Sequence, residues 1–552
     1  MKIKFQDKTI EVKKGIKVKE LFEKEIKENK IMACKIDGIV NSLNTAIDKE
    51  CSIKLLDRTS KNGMRTYINS LLYVMGKAVN EVYPKALITI NYQLSGAMFC
   101  KIDNMKINNE IVDKIKLKMQ KIIEQDIPIN EVKMTREEAS KFYEKEKTLR
   151  GILQLDNAKK EYISLYFCED YYNYFYGEQI PSTGYLDIFD INICQDGFIV
   201  RYPTRDNPNE LNEYILNKKL KATLDEYDNI NRILNINTVY KLNKKIKEGK
   251  AVNYVLMSEA LHEKKISQIA DQISKKKNCK MVLIAGPSSS GKTTFAKRLG
   301  IQLRLKGIKP VTISADDYFL EREETPKDEF GNYNFEDIEA IDMELFNNNL
   351  VKLMNGEEID APTFDFVHGK KVYNRKMKLE DDEILVIEGI HCLNDRLTNK
   401  IDKENKFKIY ISALTVLNVD YYNRISSTDT RMIRRIIRDN RHRGTDATKT
   451  LEKWYSVAKG ENKNIFPYQE TADVMFNSSL VYELAVLKKQ AIPLLEKVER
   501  ESRQYGEARR LIDLLTYFDD IPEEYVPRNS LLQEFLGNSI FEEFEWGWYE
   551  KI

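Results

Sequence analysis

Cysteine, histidine and tryptophan are scarce in this 552-residue chain, at seven, four and three residues. The cysteines fall at 34, 51, 100, 168, 194, 279 and 392, an odd number with no CxxC pair. That spread excludes a disulfide framework and reads as small buried hydrophobes in a reducing compartment. His262, His368, His391 and His442 are too few and too scattered for a Cys/His zinc site. No apolar run approaches the roughly 18 residues of a membrane span, and Met1–Lys8 has no apolar signal core. A cytoplasmic protein with no membrane attachment is expected. Neither sign of charge dominates: 88 Lys+Arg against 86 Asp+Glu leaves a net +2, with no global pull toward nucleic acid.

Hydrophobic residues make up 42% of the chain, enough for several cores, and its length suggests about three or four domains. Residues 1–60 read as strand–strand–helix–strand. Ile3–Phe5, Ile10–Val12, Ala33–Ile36 and Ser52–Leu56 are the strands, and Val18–Lys27 is the helix. Residues 61–240 read as mixed α/β and tyrosine-rich. A helix is expected over Ile68–Val82, stopped by Pro84, with strands at Leu87–Tyr92, Tyr162–Phe167 and Tyr185–Ile193. The cluster Tyr171–Tyr176 fits half-buried sheet packing better than a base-stacking platform. Residues 241–277 form a lysine-rich helical connector, and 491–552 a helical tail ending in the aromatic run Phe541–Tyr549. Between them, 278–490 alternates apolar strands with helix-length segments. The strands are Met281–Ala285, Val311–Ser314, Ile384–Ile387, Phe407–Ile411 and Val474–Phe476. That rhythm predicts a parallel sheet flanked by helices, so the whole chain is multidomain, α/β and α+β.

The strongest motif is Gly286-Pro287-Ser288-Ser289-Ser290-Gly291-Lys292-Thr293, a full GxxxxGK[ST] match between a strand and a helix. Its amides and the helix N-terminus suit phosphate, and the nucleotide seat is expected over Gly286–Thr294. Lys292 should reach the β- and γ-phosphates, and Thr293 should ligate Mg²⁺. Asp316 ends the next strand at the sheet's carboxyl edge, where it could accept a proton from a substrate hydroxyl; Asp317 is the weaker candidate. Glu388 ends a third strand and could hold a Mg²⁺-bound water or orient the acceptor. Arg431, Arg434, Arg435 and Arg438 then fall at helical spacing. The strip suits a lid closing over ATP better than a grip on RNA.

These segments, in order over roughly 200 residues, resemble the uridine–cytidine kinase and phosphoribulokinase-like P-loop kinases. They are the loop, Ser314–Phe319, Asn334–Asp342, Ala361–Val367, Ile387–Ile390 and Arg434–Gly444. The resemblance implies ATP and Mg²⁺ as cofactors and a nucleoside 5′-hydroxyl as acceptor. It also implies Asp316 as general base, Glu336 as sugar-binding acid and Phe364 beside the base. Arg435, Arg438 and Arg443 fall on the phosphate- and substrate-contacting arginines. Uridine kinases carry Asp where Glu336 stands, Tyr where Phe364 stands, a base-reading His where Gly369 stands and an arginine where Thr445 stands. His368 lies one position from Gly369. A different nucleoside, a phosphorylated sugar or an ATP-sensing regulatory role therefore stays open.

Residues 1–58 resemble a TGS domain, and 61–230 the editing-type domain that follows it in threonyl-tRNA synthetase. Asn69-Ser70 through Tyr83-Pro84 and Tyr176–Gly184 carry that likeness. The synthetase's two histidines and its cysteine–histidine pair correspond to Asn69, Tyr73, Phe175 and Gln179. The resemblance thus implies the fold without editing or metal chemistry. A small ligand or RNA on this half stays open beside a packing or dimerisation role.

Overall fold

The five apolar runs of the C-terminal half form one parallel sheet in a computed structural model. It describes residues 1–146, 155, 161–329, 331–365 and 368–543. Phe366, Val367, Trp546, Trp548 and the rest of 544–552 lie outside the described residues. The strand order is Lys309–Ser314, Glu383–Glu388, Met281–Ala285, Lys406–Ser412, Val474–Asn477. Every neighbouring pair is parallel, which places all carboxyl ends along one edge. The central strand Met281–Ala285 is wholly buried, as a parallel strand with both faces covered must be. An antiparallel hairpin, Ile359–Asp365 with Lys370–Met377, was not legible as such, because its second strand is charged and exposed.

The N-terminal residues form a mixed five-stranded sheet. Lys2–Phe5 pairs antiparallel with Lys8–Glu11 and parallel with Cys51–Asp57, the crossover being the helical stretch Val18–Asn29. The next helix is longer than its apolar pattern suggested. It runs Lys61–Val82 because the Ser60 side chain caps it by accepting from the Gly63 amide. Two antiparallel sheets follow, and among their strands Ala97–Ile102, Asn130–Thr135 and Gly197–Arg201 were not anticipated. The strand expected over Tyr185–Ile193 is shorter, Asp190–Cys194, and Tyr185 sits in a 3₁₀ turn. Tyr171, Tyr172 and Phe175 are buried packing. Tyr174 and Tyr176 point across to the C-terminal helix Tyr505–Thr516, Tyr174 bonding the Tyr517 hydroxyl and Tyr176 the Arg510 carbonyl.

The lysine-rich stretch after residue 240 is helical, Val239–Lys247 and Ala251–Lys275. The second helix buries Val255, Ile266, Ile269, Ala270 and Ile273 in the same core as Phe295 and Leu299 of the helix after the phosphate loop. All seven cysteines are unpaired, and six of them are buried. No described helix is long and apolar enough to cross a membrane.

His262 lies on that long helix, 1% exposed, with Nε2 against the Ser479 carbonyl and its ring 5.1 Å from Phe476. Burial, then the charges of Arg298 and Arg434, push its pKa down to about 3. The folded state therefore keeps the ring neutral while the unfolded chain takes a proton near pH 6.5. The ring's contribution to stability is complete above about pH 6.5 and falls by about 1.4 kcal/mol per pH unit toward pH 3. Urea midpoints at pH 7.5 and 5.5 should diverge more in the wild type than in His262→Gln. An identical acid response in both would remove His262 from it.

Candidate functional site

The loop Gly286–Thr293 sits at the carboxyl end of the central strand, and the helix Lys292–Arg304 starts inside it. Gly286 has no room for a side chain, since a Cβ would lie 1.9 Å from the Ile411 carbonyl oxygen on the next strand. Gly291 has φ +84°, a left-handed conformation that glycine adopts without steric cost. Lys292 Nζ donates to the Gly286 carbonyl at 3.1 Å. Ser289 and Ser290 are buried with hydroxyls that find no partner, which fits a loop shaped round an oxygen-rich ligand.

The arginine strip lies on the helix Ser427–Arg443 and divides in two. Arg431 and Arg434 are buried beneath the loop. Arg431 pairs with Glu461 through both oxygens, at 2.5 and 2.8 Å, and donates to the Ser288 carbonyl at 3.2 Å. Glu461 in turn accepts from the Ser288 amide at 3.1 Å. Arg434 holds Glu483 at 2.6 Å and the Ser478 carbonyl at 2.8 Å. Arg435, Arg438 and Arg443 instead gather on Asp439, at 3.1, 2.8 and 3.7 Å. Arg435 also donates to Ser288 Oγ at 3.0 Å. Glu461 and Asp439 were not singled out from sequence. Asp439 stood inside the arginine run, while Glu461 lies 30 residues from its partner on another helix.

Three carboxyls face Lys292. Burial is the main cause that raises Asp316, and Lys292, Arg438 and Arg443 oppose it. Glu336 and Glu388 are pushed up to about 7, again mainly by burial, with Lys292 opposing in both. Thr293 Oγ1 lies 3.3 Å from Glu388 Oε1, so the two expected Mg²⁺ residues meet. Among the described residues no three His, Cys, Asp or Glu side chains cluster for a metal. One carboxylate and one hydroxyl suit Mg²⁺, which keeps waters and takes phosphate oxygens for the rest of its shell.

Phe364 is buried in an aromatic trio with Phe319 and Phe335, at 5.8 and 6.3 Å. Its amide donates to Asp317 Oδ1 at 3.3 Å, so Asp317 fastens the hairpin beside Asp316. Gly369, at φ +71°, lies so close to Arg322 that a Cβ would come within 2.7 Å of that side chain. His368 turns outward, 75% exposed, onto Asp365 at 2.6 Å. The Thr445 hydroxyl donates to the Arg443 carbonyl at 3.4 Å, and its amide to the Asp439 carbonyl at 3.0 Å.

In the N-terminal half the four altered positions serve packing. The Tyr73 ring contacts Phe175 at 5.6 Å, and its hydroxyl donates to the Tyr166 carbonyl at 2.9 Å. Asn69 holds the Tyr176 carbonyl at 3.2 Å, and Gln179 is buried with neither amide atom partnered. Asn69 and Phe175 line a cavity of about 310 Å³ whose other wall is Glu507, Arg509 and Arg510 of the C-terminal helix.

Residues 281–484 match the family model described as the phosphoribulokinase / uridine kinase family. A uridine kinase of Anoxybacillus flavithermus is 29% identical over 216 residues, covering 38% of this chain and 92% of that protein. A threonine–tRNA ligase of Clostridium kluyveri is 29% identical over 181 residues, 32% of this chain. This chain spans only 28% of that ligase's length. A solved structure from Bacillus stearothermophilus, described as a possible uridine kinase, matches at 20% identity with a TM-score of 0.27. It covers 38% of this chain and 96% of its own. The polypeptide thus joins an N-terminal part similar to threonine–tRNA ligases to a region, 281–484, that matches the phosphoribulokinase / uridine kinase family model.

Removing one member of a buried ion pair leaves the other charge stranded. Glu461→Ala should cost about 3 kcal/mol and free Ser288 from its clamp. Thermal unfolding and nucleotide titration should both register the change. Wild-type values in both would show that the loop holds its shape without the pair.

Proposed function

We propose that this chain transfers the γ-phosphoryl group of ATP to the 5′-hydroxyl of a nucleoside. The observation that carries this reading is the convergence of Lys292, Asp316, Glu336, Glu388 and the Asp439 arginine cluster at one edge of the sheet. Phosphoryl transfer asks little of a protein beyond positioning and charge neutralisation. When bound, ATP supplies the phosphoryl group, and Mg²⁺ beside Thr293 and Glu388 neutralises its oxygens. Lys292, anchored at the loop's own carbonyl, neutralises charge at the same place. Arg435 and Arg438 stand ready on Asp439 to meet the charge that spreads in transfer. Arg443 is the most exposed of the three, 58% open, and so the freest to follow a substrate. Asp316 takes the proton from the acceptor hydroxyl. Its burial-raised pKa brings it nearer the operating pH, as a general base requires.

Glu336, half-buried near Arg435 and Asp316, holds the sugar hydroxyls. Phe364 carries no hydroxyl for an acceptor ring, and Gly369 adds no side-chain donor. That observation favours a second reading, with the same chemistry on a different small-molecule alcohol. An apolar pocket discriminates between rings by shape, with far less power than one that hydrogen-bonds them.

ADP release should be followed over a panel of ribo- and deoxyribonucleosides and sugar phosphates, with Lys292→Ala as the blank. Uridine or cytidine is expected to stimulate. Stimulation by other alcohols alone would move the assignment to the second reading. Asp316→Asn should lower kcat by about 10²–10⁴-fold. Full turnover in that variant would remove Asp316 as the base.

A further inference from the structure

The C-terminal segment turns back over the phosphate loop. Leu531 packs on Gly291 so closely that a Cβ there would lie 2.4 Å from Leu531 Cδ2. One turn on, Glu534 Oε2 accepts from Thr294 Oγ1 at 2.9 Å and reaches the Thr294 amide at 3.4 Å. Thr294 stands in the first turn of the helix Lys292–Arg304, where amides have no partner within the helix. The helix dipole favours negative charge at that end. A carboxylate from the far end of the chain has taken donors that suit a nucleotide's phosphate.

We propose that Glu534 sets how tightly the loop holds its nucleotide, its carboxylate competing with phosphate for the Thr294 donors. The inference rests on the reading of Gly286–Thr294 as a nucleotide seat. The competitor is held in place by packing. Leu531, Leu532 and Phe535 are buried, and the Phe535 ring lies 5.0 Å from the Arg434 guanidinium. Arg441 donates to the Leu536 and Gly537 carbonyls at 2.7 and 2.5 Å, and Lys297 to the Phe541 carbonyl at 2.8 Å. The segment therefore links the loop helix to the far end of the arginine helix. Glu534 is also near enough to add negative charge at Glu388. A nucleotide entering this seat meets a like charge on its own donors, so either the carboxylate leaves Thr294 or affinity falls.

The test is calorimetric titration of the full chain with ATP and Mg²⁺ in wild type, Glu534→Gln and Glu534→Lys. Truncating the segment would expose Leu531 and Phe535, so single side-chain changes are used. Glu534→Gln should tighten ATP on the order of tenfold, the worth of one charged hydrogen bond. Glu534→Lys should tighten it further. Equal or weaker ATP binding in both variants, with wild type still binding, overturns the role of Glu534 alone. A wild type that binds no nucleotide removes the loop reading and this inference with it.

Discussion

The geometry of the site depends on how Ser288 is held. Its carbonyl accepts from Arg431, its amide donates to Glu461, and Arg431 and Glu461 hold each other through two bonds. The backbone amide and carbonyl of one residue are thus both fixed by a single buried ion pair. A phosphate loop works because its amides already point at the ligand before the ligand arrives. In many loops glycine alone sets that shape. Here three consecutive serines intervene between the glycines, and Ser289 adopts φ +59°, an unusual conformation for a residue with a side chain. The pair beneath the loop stabilises what the serines would relax. Desolvating two charges is costly, and the bidentate geometry with two further bonds to Ser288 is the arrangement that offsets such a cost.

The same helix is gripped at both ends by parts of the chain outside the kinase sheet. At its start, Asp429 binds Arg510 through both oxygens, at 2.9 and 2.6 Å. Arg510 lines the cavity against Asn69 and Phe175, and its carbonyl receives the Tyr176 hydroxyl. Just ahead of the helix, Tyr422 is buried in the N-terminal core. Asn423 accepts from the Tyr176 amide at 2.5 Å. At the far end, Arg441 is tied to the C-terminal segment. The ligase-like half therefore braces the element that carries the loop's arginines. Tyr73 and Phe175 suit that duty, because they fill space that polar groups would leave in need of partners.

How much of this could be read in advance follows the range of each interaction. The five parallel strands were legible because each is a short apolar run followed by a helix-length polar segment. The loop was legible because its residues are contiguous. The hairpin after Ile359 was hidden, since its second strand alternates nothing: it is charged and exposed along most of its length. The arginine strip was visible, but its division was not. Which arginines lie under the loop and which gather on Asp439 is decided by Glu461 and Glu483, carboxylates 30 and 49 residues away. Glu534 lay further still, 240 residues from Thr294, in a tail whose sequence offers no periodic signal. Local chemistry was thus readable, whereas the long-range partner of each charge was not.

The hairpin beside Asp316 bears on which acceptor the proposed reading would admit. Gly369 is a requirement of the turn that closes on Arg322. A side chain there would have to displace Arg322 and accept a left-handed φ, so base reading from that position is incompatible with this hairpin. His368 is spent on Asp365 at the surface. Phe364 carries no hydroxyl and contacts two other phenyl rings. On the proposed reading, polar recognition therefore falls to the sugar side, where Glu336 is pushed up by burial with Arg435 and Lys292 opposing. On the proposed reading, that distribution would hold the ribose and the phosphates by charge and the ring by shape. Its selectivity among sugars should exceed its selectivity among bases, because unpaired buried polar groups penalise a wrong substrate far more than a loosely filled apolar wall does.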